Sequence, residues 1–209
     1  MAVWKEQAVP IQVPGEDFVL EGVWQAGEGL GGVVAPPHPE YGGSLANPVV
    51  NELAYGLHRT GRPSLRFNWR GVDGSQGTRT GDFDIAVADY SAAVAHLIDT
   101  VGAPLVGCGY SFGAATAVRT ALASPQHFSA LVLVAPPVGM LQGLPLRELS
   151  IPLHMIAGSE DSFAPAEGLQ ALADAHGDAR LELLPHVDHF FVSGGLAEIA
   201  RFAQSAVDG

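Results

Sequence analysis

Short apolar runs of strand length alternate along the chain with longer stretches in which apolar residues recur at helical spacing. Between Asn47 and Arg59 the apolar positions follow the 3.6-residue period, which predicts a helix with Asn47 as its N-cap. Residues 130–135 form one continuous apolar run, which is typical of a strand buried on both faces. The whole pattern predicts strands at 9–13, 18–24, 31–35, 64–68, 105–110, 130–135, 153–157 and 181–184, and helices at 48–59, 84–100, 112–123, 165–176 and 196–206.

The alternation of strands and helices predicts an α/β fold with a mostly parallel central sheet of about seven to eight strands, flanked by helices. No internal repeat or long linker divides the chain, so residues 1–209 are expected to form a single domain. Only about a dozen residues separate Pro136 from Ile151, the interval in which this architecture often carries a lid. The sequence therefore predicts no cap domain and an open site.

The composition indicates a folded, acidic protein. Hydrophobic residues make up 47% of the chain and charged residues 15%, which argues against disorder. The 22 acidic and 10 basic residues leave a formal net charge of −12, which disfavours nucleic acid or an anionic membrane as a partner. We therefore expect a small-molecule partner, and the sequence leaves open whether the protein is a monomer or a homodimer.

Cysteine usage and the amino-terminal segment bear on the compartment. Cys108 is the single cysteine, so no internal disulfide can form and a zinc cluster built on cysteines is excluded. Residues 1–7 lack the basic flank and apolar core of a signal peptide. No apolar run approaches the roughly 20 residues that span a bilayer. A cytoplasmic location is the expectation.

Residues 109–113 read G-Y-S-F-G and form the most informative motif of the chain. A predicted strand precedes the motif and a predicted helix follows it, which is the setting of a nucleophile elbow with Ser111 at its apex. Gly109 and Gly113 would leave room for a strained backbone at the serine. The new helix directs its N-terminal N–H groups toward the serine oxygen. We therefore expect Ser111 to be a catalytic nucleophile.

A serine nucleophile needs a base, and the base needs a carboxylate that orients it. In this architecture both follow the later strands, the carboxylate first. Asp161 follows the predicted strand at 153–157 and His189 follows the one at 181–184, so the expected order is Ser111, Asp161, His189. The rival base is His186, and the rival carboxylates are Glu160 and Asp188. A metal site on His186, Asp188 and His189 would lack a second His-x-His or cysteine partner, so no metal and no other cofactor is expected.

An oxyanion hole needs two backbone N–H groups. The residue after the nucleophile, Phe112, is expected to supply one. The loop after the third predicted strand should supply the other, and its prolines are excluded because proline has no N–H. His38, Glu40 and Tyr41 remain, and Glu40 is favoured because it lies just before the turn at residues 41–43.

These motifs together resemble the α/β-hydrolase superfamily. Residues 36–50 are similar to the H-P-H-P-x-Y-G-G-x-x-x-N-x-V-V segment of small, capless bacterial hydrolases related to the dienelactone hydrolases. Residues 66–77 resemble their R-F-N-F-R-G-V-G-x-S-x-G segment, in which we interpret Arg70 as a structural residue that holds loop carbonyls. The chain departs from the family at Pro36, where the family has histidine, and this affects the loop of the oxyanion hole.

The resemblance also bears on the rival site residues. Residues 187–191, V-D-H-F-F, match the family's A-D-H-F-F, which favours His189 over His186. Residues 158–161 match its G-x-x-D, which favours Asp161 over Glu160. The dienelactone enzymes use cysteine as the nucleophile. Here Ser111 has that position, and Cys108 is expected to be a buried core thiol.

The function that the sequence predicts is a serine hydrolase that cleaves carboxylic esters or thioesters of small to medium acyl groups through an acyl-enzyme. One alternative keeps the triad but changes the chemistry to C–C bond hydrolysis, or to a lyase or cyclase reaction in a biosynthetic pathway. Another is a non-catalytic binding protein with a hydrolase fold. Fold alone does not choose among these.

Overall fold

A mixed β-sheet runs through the centre of the protein, which a computed structural model describes over residues 5–207. Residues 1–4, part of the segment searched for a signal peptide, lie outside the described residues, as do 208 and 209. Eight strands form the sheet within residues 5–207: β1 Glu6–Gln12, β2 Val19–Gln25, β3 Gly32–Ala35, β4 Ser64–Phe67, β5 Leu105–Tyr110, β6 Phe128–Val134, β7 Leu153–Gly158 and β8 Ala179–Leu184.

The strand order across the sheet is β1-β2-β4-β3-β5-β6-β7-β8. β1 pairs antiparallel with β2, and β2 pairs antiparallel with β4, while every later pair is parallel. Strands β3 to β6 are buried along almost their whole length, which explains why β3, β5 and β6 are mostly apolar without regular alternation. Strand β4 also buries two polar residues, Ser64 and Arg66. The carboxyl ends of the parallel strands meet at one edge of the sheet, where α/β sites assemble.

Six helices cover the two faces of the sheet within residues 5–207: α1 Pro48–Arg59, α2 Phe83–Val101, α3 Phe112–Ala123, α4 Val138–Leu141, α5 Ala166–His176 and α6 Leu196–Val207. The apolar stripes of α1 and α6 pack together on one face, over β3, β5, β6 and β7. Helices α2, α3 and α5 contribute to the core on the other face. Each face of the sheet thus has its own hydrophobic core, as the apolar patterning predicts.

The predicted fold class is confirmed, with an eight-stranded, mostly parallel sheet and no cap domain. Between β6 and β7 the chain forms only the short helix α4, which the sequence analysis did not predict, and a 3-10 turn at Leu146–Glu148. Helix α5 begins one residue later than predicted, because Pro165 has extended backbone angles and acts as the N-cap. Within residues 5–207, no helix combines the length and the apolar character that crossing a bilayer requires.

Candidate active site

Ser111 lies at the sharp turn between β5 and α3 and has the positive φ angle expected of a nucleophile elbow. Its φ is 54° and its ψ is −117°, a conformation that L-residues rarely adopt. A Cβ atom at Gly109 would lie 2.4 Å from the backbone carbon of Gly113, and one at Gly113 would lie 2.5 Å from the carbonyl oxygen of Pro36. The turn can therefore close only with glycine at both positions.

Three side chains from distant parts of the chain meet beside this turn. The Ser111 Oγ lies 2.9 Å from Nε2 of His189, and Nδ1 of the same ring lies 2.7 Å from Oδ2 of Asp161. Asp161 follows β7, and His189 lies in the loop after β8. Because β5, β6, β7 and β8 are parallel neighbours, their carboxyl ends bring these loops to the same edge.

The carboxylate of Asp161 is oriented by the backbone of its own loop. Its Oδ1 accepts hydrogen bonds from the N–H groups of Phe163 and Ala164, both at 2.8 Å, which leaves Oδ2 to face the imidazole of His189. Asp161 is 3% exposed and His189 is 6% exposed. A carboxylate bonded in this way is held as an acceptor for an N–H on Nδ1 of the histidine.

The backbone of His189 is held in turn by the residue that precedes Ser111. The hydroxyl of Tyr110 donates to the carbonyl oxygen of His189 at 2.9 Å. Burial raises the pKa of Tyr110, and the charges of Asp161 and Asp188 add to the shift, so the hydroxyl keeps the proton that it donates. No role for Tyr110 is evident from the sequence, since its partner lies 79 residues away along the chain.

The rival histidine and one rival carboxylate pair with each other at the surface. Nδ1 of His186 lies 3.2 Å from Oε1 of Glu160, and their side chains are 90% and 61% exposed. The third alternative, Asp188, accepts the N–H groups of Phe190 and Val192 and so caps the turn that carries His189. None of the three lies against Ser111 in the way that His189 does.

The hydrogen bonds within the loop after β3 argue against Glu40 as the second oxyanion donor. The N–H of Glu40 donates to Nδ1 of the His38 side chain at 3.2 Å and caps the 3-10 turn Pro39–Tyr41. The N–H of Tyr41 donates to the carbonyl of His38 at 3.1 Å. Both groups are therefore engaged inside the loop. Among the hydrogen bonds of residues 5–207, none uses the N–H of His38 or that of Phe112.

Trp69 holds the same loop from below. Its indole N–H donates to the carbonyl oxygens of Pro36 and Pro37, at 3.2 and 3.0 Å, and the side chain is 1% exposed. Arg70, which the sequence suggested would hold loop carbonyls, donates to carboxylates in each of its side-chain hydrogen bonds within the described residues. Arg70 instead forms an ion pair with the buried carboxylate of Asp89 at 2.7 Å, so its role is structural, but with a different partner.

A cavity of about 530 Å³ opens at Ser111. Its walls come from the loop after β3, the start of α1, α4 and the loops that carry Asp161 and His189. Neither Trp69 nor Phe112 lines the cavity, and both side chains are buried, each 1% exposed.

Cys108 is fully buried on β5, and burial raises the pKa of its thiol to about 12. Residues 5–207 contain no cluster of three or more His, Cys, Asp or Glu that could hold a metal ion.

Comparison with known proteins agrees with this fold. Residues 47–147, which include Ser111, match the family model of the S33 serine aminopeptidases. An uncharacterised protein of Rickettsia prowazekii is 31% identical over 176 residues, which cover 76% of this chain and 71% of that protein. An alpha-beta serine hydrolase homologue from Coxiella burnetii superposes with a TM-score of 0.86 at 27% identity, over 99% of this chain and all of that one. The chain belongs to the α/β-hydrolase superfamily.

More distant members of the superfamily share the fold. A Xanthomonas campestris serine hydrolase without a lid superposes with a TM-score of 0.82 at 24% identity, and covers 98% of this chain and 94% of that one. A dienelactone hydrolase from Anabaena variabilis superposes with a TM-score of 0.81 at 21% identity, over 97% and 96% of the two chains. The resemblance to small, capless α/β-hydrolases found in the sequence is thus matched by the architecture.

Proposed function

We propose that this α/β-hydrolase is a serine esterase that cleaves carboxylic esters or thioesters of small to medium acyl groups. The observation that carries the proposal is the unbroken hydrogen-bonded series from the Ser111 hydroxyl through the His189 ring to the Asp161 carboxylate. A hydroxyl, an imidazole and a buried carboxylate in this order are what acyl transfer through a covalent intermediate requires.

In the proposed reaction the Ser111 oxygen attacks the acyl carbonyl while its proton passes to Nε2 of His189. The tetrahedral intermediate collapses, the bond to the alcohol or thiol breaks, and His189 returns the proton to that leaving group. Water, deprotonated by the same nitrogen, then attacks the acyl-enzyme, releases the carboxylic acid and restores the serine. Throughout, Asp161 keeps the proton of the neutral ring on Nδ1 and stabilises the ring when it is charged.

The proposed oxyanion donors are the N–H groups of Phe112 and His38. His38 replaces Glu40, whose N–H is engaged elsewhere. The peptide between Pro37 and His38 supports this assignment, because its carbonyl oxygen accepts the Trp69 indole N–H. In a trans peptide the C=O and N–H point in opposite directions, so binding the carbonyl to Trp69 turns the N–H of His38 away from the core.

An ester is favoured over a peptide substrate by the side chains around the cavity. An aminopeptidase must bind the charged amino terminus of its substrate, and a carboxylate partner is the usual means. Among residues 5–207, the side chains that line the cavity at Ser111 include no aspartate and no glutamate. The match to the S33 model therefore supports the fold and the nucleophile, while the lining supports uncharged acyl substrates.

The first experiment tests the nucleophile. A fluorophosphonate probe should label the protein at Ser111, and p-nitrophenyl acetate and butyrate should be hydrolysed, whereas Ser111→Ala should lose both. Labelling that survives Ser111→Ala would refute the proposed nucleophile. Labelling at Ser111 without turnover of any ester or thioester would point instead to the other triad chemistries, and a folded protein that is never labelled would indicate a binding protein.

The second experiment tests the His38 donor by removing a single N–H group. His38 has a φ of −59°, which proline can adopt, so His38→Pro deletes the N–H with little change in the backbone angle. His38→Ala is the matched control, because both variants lose the imidazole and only one loses the N–H. We expect kcat for p-nitrophenyl acetate to be about 10²–10³ lower in the proline variant than in the alanine variant. Equal rates in the two folded variants would exclude this donor.

A further inference from the structure

Three large aromatic side chains stay exposed at the mouth of the cavity, and we call them the aromatic rim: Tyr41, Phe163 and Phe190. They are 86%, 53% and 65% exposed, and all three line the cavity at Ser111. Folding gains little from rings in such positions, because apolar surface stabilises a fold only when it leaves water. Exposed apolar surface grouped at one place on a monomer usually marks a binding site.

The rim flanks the catalytic groups from two sides. Phe163 and Phe190 lie beside the imidazole of His189, with ring centroids at 4.8 and 5.3 Å, and they meet each other edge-on at 6.3 Å. Tyr41 lies on the other loop, against the ring of His38 at 4.7 Å. A flat apolar group bound between these loops would contact aromatic faces and edges while its ester carbonyl faces Ser111.

The side chains that line the cavity argue against substrates that carry an anionic group. Within residues 5–207 the lining contains no lysine, arginine, aspartate or glutamate, and the volume of about 530 Å³ is that of a small-molecule site. An anionic group entering the cavity would lose its hydration without gaining a cationic partner. The net charge of −12 would also repel it on approach.

We propose that the aromatic rim binds the aryl or other bulky apolar group of an uncharged ester, and that esters with an anionic group are rejected. This substrate class rests on the proposed esterase function, which it narrows. It disfavours acyl thioesters of phosphorylated carriers, whose phosphates would meet no cation in the cavity. The rim then supplies affinity for the substrate, and the residues at Ser111 supply the chemistry.

The test uses three acetates that differ only in the alcohol: benzyl acetate, ethyl acetate and 4-(acetoxymethyl)benzoate. In the native protein, kcat/KM should be at least about tenfold higher for benzyl than for ethyl acetate, and at least about tenfold lower for the benzoate than for benzyl acetate. Phe163→Ala and Phe190→Ala should each lower the benzyl-to-ethyl ratio about three- to tenfold. The ratio is the readout because a shared effect on His189 cancels in it.

Val192→Ala is the matched control, since Val192 is 83% exposed on the same loop but does not line the cavity. It should leave the benzyl-to-ethyl ratio unchanged. A ratio near one in the native protein, a ratio unaffected by both phenylalanine variants, or equal turnover of the benzoate would overturn the inference while the esterase function stands.

A binding measurement separates this inference from the catalytic proposal. In Ser111→Ala, which cannot cleave the esters, benzyl acetate should bind, as seen by saturation-transfer NMR, and the benzoate should not. If adding Phe163→Ala to Ser111→Ala abolishes the binding of benzyl acetate, this would support the rim even if the native protein proved inactive. Equal signals from the two ligands would overturn it independently of activity.

Discussion

Two histidine–carboxylate pairs lie a few residues apart in this protein. They contain the same types of side-chain group but differ in distance, in exposure to water and in their neighbours. His189 and Asp161 approach to 2.7 Å, with side chains 8% and 0% exposed. His186 and Glu160 approach to 3.2 Å, with side chains 90% and 61% exposed. The first pair continues to the Ser111 hydroxyl, whereas the second faces water.

The comparison shows that the surroundings, rather than the residue types, make a histidine–carboxylate pair useful. In the buried pair, backbone N–H groups hold one carboxylate oxygen and a tyrosine hydroxyl holds the histidine carbonyl, so neither group needs to reorganise when charge develops. The exposed pair is screened by water and must order two mobile side chains, so its net contribution is small. Matched substitutions in the two pairs test this contrast.

The largest difference is expected between the two histidines. His189→Ala removes the proposed base and should lower kcat for p-nitrophenyl acetate by a factor of about 10⁶, since nucleophile and base act as one unit. His186→Ala should stay within about twofold of the native rate, because within residues 5–207 the hydrogen-bond partner of its ring is the exposed carboxylate of Glu160. Steady-state kinetics on both variants measure the two values of kcat. A large loss of kcat in His186→Ala would contradict the proposal that His189 is the base.

The carboxylates should differ next. In Asp161→Asn the amide oxygen should keep the two backbone N–H bonds at Oδ1, which turns the NH₂ group toward Nδ1 of His189. That amide donates where a carboxylate accepted, so the ring carries its proton on Nε2 and cannot take one from Ser111. We expect a loss of about 10⁴ in kcat.

Glu160→Gln is the control for the carboxylates and should leave kcat unchanged. Thermal unfolding of both variants checks that the fold is intact. If Asp161→Asn kept more than about a tenth of the native rate while folded, the proposed orienting role of Asp161 would be untenable.

The smallest effects should come from the groups that hold each histidine's backbone. Tyr110→Phe leaves the buried carbonyl of His189 without its donor and should lower the free energy of unfolding by about 1–3 kcal/mol. Ser159→Ala removes the hydroxyl that accepts the N–H of His186 at an exposed site and should cost less than about 0.5 kcal/mol. Urea denaturation of the two variants measures the difference, and equal losses would contradict the contrast between the pairs.

Much of the site could be read from local patterns. The strand, the glycines and the small-residue helix around Ser111 predict a strained turn at the serine. In the structure only glycine at positions 109 and 113 avoids the backbone contacts that close this turn. The prediction of Glu40 as an oxyanion donor is contradicted by the hydrogen bond that its N–H makes within the loop. The sequence excludes prolines as donors but does not reveal which way the remaining N–H groups point, and the side chain of His38 takes the Glu40 N–H.

Local sequence features predict the alternation of strands and helices, the absence of a cap domain, the elbow and the small set of polar residues from which a site could be built. These features depend on hydrophobic period, chain length and the steric limits of glycine and proline, all of which are local. The fold alone shows that Tyr110 holds the backbone of His189, that Trp69 binds the carbonyl before His38, and that three aromatic rings flank the cavity. Most of these contacts join residues that lie far apart along the chain, and the folded sheet, which no short stretch of sequence encodes, brings them together.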